Sequence, residues 1–377
     1  VASHTFPQDS PRTELRGVYL TTSNKLDWPK SLDPTEQQAS LKKILGDMKA
    51  ANLNTLFFQV RPRGDAYYKS KYEPWAENLT GTLGKDPGWD PLAFALEEAH
   101  KLGIEIHAWL NVFKIRGQLP LSSAAPGSRM HPSLAYPEWT LYYDKEAWHN
   151  PGLPHARAYT LRVVMDVVEG YDIDGVCFDF IRYPGKDFAD RDAFSWYGDG
   201  KSLADWRRGN INAFVREAYK EIMLVKPMVK VGAAPIGNYK GNISAQPNGN
   251  TVGGAFDWYY QDAPGWLKNG WLDYLAPQVY WALAFDTHRP DFAFVARSWQ
   301  RNSHGKHIYI SIGAYKPDIV AQIPDQITSA RKVNAHGQIY FRYENVAGMN
   351  MFGDRYAEPA AVPAMPWKNV ARSDGKK

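Results

Sequence analysis

Eight short apolar runs recur along the 377-residue chain, most of them separated by stretches with helical periodicity. They fall at residues 16–22 (RGVYLTT), 54–61 (NTLFFQVR), 104–112 (IEIHAWLNV), 175–181 (GVCFDFI), 229–234 (VKVGAA), 273–281 (DYLAPQVYW), 308–313 (IYISIG) and 338–343 (QIYFRY). Runs of this length that carry almost no charge suit strands buried on both faces, as in a parallel sheet covered by helices. The intervening helices announce themselves. Asp33 and Asp90 each precede a proline, the pairing expected of an N-cap and first turn. Leu41, Ile44, Leu45 and Met48 share one helical face, Gly103 ends the second helix, and Pro227 ends one that begins near Leu203. Within 156–170, Leu161, Val164, Met165 and Val168 form another apolar stripe. Eight strands alternating with helices predict a (β/α)8 TIM barrel with long βα-loop insertions. A doubly wound sheet is the rival, but no GxGxxG follows the first strand.

The fourth run carries the most chemical information. Side chains alternate along a strand, so Val176, Phe178 and Phe180 are expected to face the helices. Gly175, Cys177 and Asp179 then look into the barrel, with Asp179 at the C-terminal end, where barrel enzymes keep their chemistry. A carboxylate there is costly unless paired or hydrogen-bonded. Arg182 and Arg61 are the expected partners that hold it ionised. An alternative is that Asp179 and Arg182 form an ion pair of structural value only.

The same parity gathers Gln59 and Arg61, Asn111 with Trp109 and His107, and Gln278 with Tyr280. Six of these, Gln59, Arg61, Asn111, Asp179, Gln278 and Tyr280, predict a polar ring at one end of the barrel. The candidate substrate-binding residues are Arg61, Asn111, Trp109, Arg182, Gln278, Tyr280 and Trp281. Tyr67 or Trp75 could add a ring from the long loop 62–82. By parity Trp281 could equally pack outward. Residues 113–150 form a second long loop, rich in proline and aromatics and without a clear period, suited to a lid or subsite wall or to surface padding. Residues 185–200 and 235–254 are further irregular loops, and a short helix over 258–269 is broken by Pro264.

Composition bounds the rest. Lys and Arg are dispersed, and the net charge of +4 is small for the length, so nucleic-acid binding has little support. No run of eighteen apolar residues is present, so no membrane-spanning helix is expected. The single cysteine, Cys177, lies mid-strand among apolar neighbours and suits neither a disulfide nor a nucleophile. No HExxH, zinc cluster, GxSxG elbow or phosphate loop occurs, and neither a metal nor a cofactor is expected. Residues 1–14 form a loose lead-in, 15–356 the barrel, and 357–377 a Pro/Ala-rich tail with a basic end. The chain starts at Val1, compatible with a removed export signal.

Several of these runs resemble the glycosyl-hydrolase-like 10 family: RGVYLTT, FFQVRPRGDAYYKSKYEPWAENLTG, GWDPLAFALEEAHKLGIEIHAWLN, NPGLPHARAYTLRVVMDVVEGYDIDGVCFDFIRYP and LDYLAPQVYW. They keep their order over about residues 15–345. The resemblance implies a TIM-barrel glycosidase fold, typical of exported bacterial envelope proteins, some of them implicated in cleaving peptidoglycan glycan strands. It further implies a periplasmic, outer-membrane-anchored or extracellular location. Many members carry two consecutive acids where this chain has Asp179 followed by Phe180, so only the first is kept. Most glycosidases need two carboxyls flanking the scissile bond. Asp179 is the first. Asp262 and Asp65 are the candidate partners, and each fits a helix or turn cap equally well. Glu344, after the last strand, suits the surface. The expectation is a glycoside hydrolase acting on a polysaccharide or glycan. Its rival is a glycan-binding envelope barrel without catalysis, for which Phe180 is the best support.

Overall fold

The structure, a computed structural model, describes residues 10–240, 253–284, 291–348 and 352–369. Most of the lead-in, the centre of the 235–254 loop and the basic end of the tail lie outside the described residues.

All eight expected strands are present and close into one parallel barrel. In chain order they are β1 (Leu15–Leu20), β2 (Thr55–Arg61), β3 (Glu105–Asn111), β7 (Gly175–Asp179), β8 (Lys230–Ala233), β9 (Tyr274–Leu275), β10 (His307–Ile312) and β11 (Gly337–Tyr340). Three antiparallel strands stand outside it: β4 (Lys114–Arg116), β5 (Thr140–Tyr143) and β6 (Glu146–His149). The helix starts are as expected. Asp33 accepts from Glu36 N and Asp90 from Ala93 N, each with proline in the first turn. Helices Phe292–Arg301 and Ile323–Lys332 cover the later strands, each with one face of buried apolar residues.

Strand parity sorts the core into two layers. Phe58, Val60, Ile106, Val176 and Phe178 pack outward against the helices. Tyr19, Phe57, Trp109, Cys177, Tyr274 and Tyr309 fill the barrel interior, where His107 Nδ1 and Tyr274 OH lie 2.8 Å apart. The run at 273–281 ladders only over two residues, because Pro277 has no N–H to offer. Its direction continues nonetheless, since Gln278 bridges Ile236 and Ser311. The expected short helix at 258–269 is two, Ala255–Trp258 and Ala263–Lys268, with Pro264 in the first turn of the second.

Three places depart from expectation. Residues 113–150 are not irregular throughout but hold the β4-β6-β5 sheet. Its β5–β6 turn, Asp144-Lys145, has φ of 46° and 65°, the left-handed pair of a two-residue hairpin. The second is Phe180. It leaves the strand at φ 47°, a conformation bulky side chains rarely adopt, so its ring joins the barrel mouth rather than following Val176 and Phe178. The third is the tail. Rather than ending at 356, the packed body continues through Lys368. Thr13 bridges Ala361, and the Arg16 guanidinium donates to Glu358 O at 2.6 Å. Met365 enters the barrel-interior cluster, and Trp367 Nε1 donates to Asp273 Oδ1 at 2.8 Å. Lys368 Nζ reaches Asp273 Oδ2 and Val229 O, both at 2.7 Å. Residues 365–368 therefore stopper the N-terminal end of the barrel.

Candidate active site

At the opposite end the strand termini open into a cleft of about 600 Å³. A larger groove of about 710 Å³ lies between the helices Phe292–Arg301 and Ile323–Lys332. It sits outside the ring of strand ends, whereas barrel chemistry sits at their C-terminal mouth, so the mouth cleft is the candidate site.

Asp179 lies at the cleft floor at the end of β7, beside Asn111 in the β3 register. Its Oδ1 accepts the Phe180 backbone N–H at 2.7 Å, and the Gln278 amide reaches the same oxygen at 3.4 Å. Burial raises its carboxyl to about 6, outweighing the Phe180 N–H and the charges of Arg182 and Lys114, which pull it down. The expected ion pairs are absent. Arg182 stacks over Trp148, Phe180 and Tyr259 at 5.3, 5.0 and 4.9 Å and donates to Tyr183 O, acting on Asp179 only through its charge. It supports the cleft wall and does not line the cleft.

Arg61 does not face the cleft. The β2–β3 register shifts between Gln59 and Arg61, and a one-residue irregularity turns the next side chain to the other side. Arg61 instead pairs with Glu73 through Nη2–Oε1 at 2.6 Å and Nε–Oε2 at 2.8 Å, fully buried. Trp281 packs against the outer core, and the Gln326 amide donates to its carbonyl. Neither Tyr67 nor Trp75 reaches the cleft: Tyr67 packs on Trp28, and Trp75 on the outer core.

The two partner acids are also elsewhere. Asp65 is buried in its own turn, accepting Arg63 N at 3.1 Å. Asp262 opens the helix Ala263–Lys268 and accepts the Tyr239 hydroxyl at 2.7 Å. Neither lines the cleft, and both hold local structure. Glu344 is exposed and pairs with Arg342 and Lys30.

Gln59, Trp109, Asn111, Asp179, Gln278 and Tyr280 do converge on the cleft. Gln59 is fixed by its Oε1, which accepts the backbone N–H groups of Thr22 and Ser23 at 3.0 Å each. Tyr280 and Phe341 lie 5.6 Å apart and Tyr19 and Trp109 5.2 Å apart, making an aromatic wall. Asn111 Oδ1 is buried without a protein hydrogen bond, and the Trp109 indole N–H is near enough to Asp179 to lower its carboxyl but does not complete a hydrogen bond. Buried polar atoms are rarely left so, and hydroxyl-rich ligands can supply both partners. Among the described residues no cluster of His, Cys, Asp and Glu suits a metal ion, and none has a helix long and apolar enough to cross a membrane.

The sequence profile of the glycosyl hydrolase-like 10 family matches residues 14–327. The chain belongs to that family. It is 35% identical over 384 residues to "Glycosyl hydrolase YngK" of Bacillus subtilis (strain 168), covering 94% of this chain and 74% of the relative. It is 34% identical over 331 residues to "Glycosyl hydrolase DigH" of Escherichia coli (strain K12), covering 80% and 73%. Among solved structures, the catalytic domain of β-amylase from Paenibacillus polymyxa superposes with a TM-score of 0.55 at 13% identity, covering 98% of this chain and all of that one. At that identity the likeness concerns the fold alone.

Sequence reasoning missed three charged cleft residues: Arg63, which pairs with Glu77, and Lys114 on β4 with Glu146 on β6. The last two matter most here. They form an ion pair, and Glu146 Oε2 also accepts Trp148 Nε1 at 3.3 Å. The only sequence signal was the Tyr-Tyr-Asp-Lys-Glu run of the hairpin, whose turn lacks the usual glycine.

Proposed function

We propose that this protein is a glycoside hydrolase that cleaves O-glycosidic bonds in a polysaccharide, with Asp179 as the proton donor. The observation that carries this is a desolvated carboxyl, raised to about 6, at the C-terminal end of a barrel strand and beside an aromatic wall. A carboxyl so placed holds a proton near neutrality and can deliver it to a leaving glycosidic oxygen. This reverses the role expected from sequence, in which arginines hold Asp179 ionised. The charge-assisted partners needed for that are committed to other groups. Sugars offer apolar C–H faces to rings such as Tyr280 and Trp109, and hydroxyls to Gln59 and Asn111. Family membership and the relatives named glycosyl hydrolases support the class.

For the substrate we propose peptidoglycan glycan strands, met outside the cytoplasm, on the strength of the family resemblance. The test is release of reducing ends from peptidoglycan stripped of its peptides, with chitin oligosaccharides, β-mannan and starch as comparisons. Release from stripped peptidoglycan is expected. Cleavage only of the others would sink the substrate assignment. Tight binding without release from any would favour the non-catalytic barrel. For the aromatic wall, Tyr280→Ala should weaken glycan binding roughly tenfold, about 1.4 kcal/mol, in a protein that still folds. Calorimetric titration with the cleaved glycan checks this, and unchanged affinity would place the platform elsewhere.

A further inference from the structure

We propose that Glu146, carried into the mouth by the β5–β6 hairpin, is the second catalytic carboxylate and activates the attacking water. The assignment rests on the glycosidase reading above. Among the described residues that line the cleft, Asp179 and Glu146 are the two that carry carboxyls. Their surroundings differ in the way an acid and a base require. Asp179 is half-buried at the cleft floor and makes no ion pair. Glu146 is ion-paired with Lys114, and both side chains keep a face to solvent, at 23% and 18% exposure, from which a water can be drawn.

The two carboxyls share a charge environment. Arg182 acts on both, and Lys114, in contact with Glu146, also reaches Asp179 by its charge. Lys114 forms an ion pair with Glu146 but not with Asp179. A base that activates a water calls for the wider glycosidase spacing, about 6.5–9.5 Å, which leaves room for that water and inverts the anomeric centre.

The step balances as a single displacement. Glu146 removes one proton from the water as the water oxygen bonds to the anomeric carbon. The bond from that carbon to the leaving oxygen breaks, its electron pair stays on oxygen, and Asp179 supplies the proton that neutralises it. One water is consumed, and the two carboxyls exchange protons with solvent to reset.

The experiment compares wild type, Glu146→Gln and Lys114→Met on peptide-stripped peptidoglycan strands, with melting curves to confirm folding and NMR of the fresh product anomer. Glu146→Gln should lose about 10³-fold in kcat with KM within threefold. Lys114→Met, which breaks the same ion pair but leaves the carboxyl, should lose far less. The first-formed product should have inverted configuration. An active wild type whose Glu146→Gln variant stays within tenfold would overturn the role of Glu146 alone. So would equal losses in the two variants, since Glu146 would then serve only to hold Lys114. A retained configuration would overturn the water-activating step. A wild type that releases nothing would overturn the glycosidase reading and this assignment together.

Discussion

Replacing Asp179 by Asn should yield a protein that is less active and more stable. Turnover should fall by about 10³-fold or more, since a positioned general acid contributes roughly 10²–10⁴. The amide keeps the size of the carboxyl and can still accept from Phe180 N, so the fold is preserved. Stability should rise because the wild-type group is held under protest. Its carboxyl is raised to about 6 in the fold by burial, against about 3.9 in an unfolded chain. The folded protein therefore binds this proton more tightly than the unfolded one. The carboxyl is fully tolerated below about pH 4, and stability is lost as pH rises through about 6. Above that the cost is roughly 1–2 kcal/mol, discounting a nominal value near 3 for the face open to the cleft. The Asn variant should thus melt higher than wild type at pH 7.5 and equally at pH 4. Wild-type kcat/KM should decline on the alkaline side of about pH 6, as Asp179 loses its proton. A folded Asp179→Asn protein with near-normal turnover would put the catalytic centre elsewhere.

Arg61→Met should damage the fold and leave recognition alone. Arg61 and Glu73 are 1% and 2% exposed and bind each other through two hydrogen bonds. Arg61 also donates to Val112 O at 3.0 Å, tying the 62–82 loop to the end of β3. Removing the guanidinium strands a buried carboxylate, a change that typically costs about 3–5 kcal/mol. Urea unfolding should show that loss. The double variant Arg61→Met/Glu73→Leu should recover most of it, because no unpaired charge then remains. A stable Arg61→Met protein with a raised KM would mean that Arg61 faces the substrate after all.

The difference between these two residues shows what a sequence can disclose. Strand parity is local and regular, so Trp109, Asn111, Asp179, Gln278 and Tyr280 fall at the cleft as the alternation predicts. Helix starts are local too: Asp33 and Asp90 cap as their neighbours require. Parity fails where the backbone departs from regular pleating. The β2–β3 irregularity turns Arg61 away, and the left-handed turn at Phe180 brings an expected outward ring into the mouth. Neither leaves a mark in composition. Asp65 and Asp262 were indistinguishable from catalytic acids, because their partners, Arg63 N and the Tyr239 hydroxyl, are set by the packing of loops. Glu146 was hidden for a related reason. Its position depends on the register of a hairpin whose strands are only four residues long.

Phe180 also bears on how the site is built. A bulky residue at φ 47° persists only where its surroundings over-determine it. Here Trp148, Lys114 and Arg182 surround the ring at 5.7, 4.7 and 5.0 Å. The same peptide unit presents the N–H that holds Asp179 Oδ1. Strain in the turn and orientation of the acid are thus coupled through one backbone amide.

The stoppered base of the barrel gives the molecule a direction. Lys368 sits against the starts of the fifth and sixth barrel strands, while Asp179 opens at the far end of the fourth. The last described helix, Pro366–Asn369, lies on this blind side. A surface that met the protein there would leave the cleft pointing away from it, toward polymer on the open side.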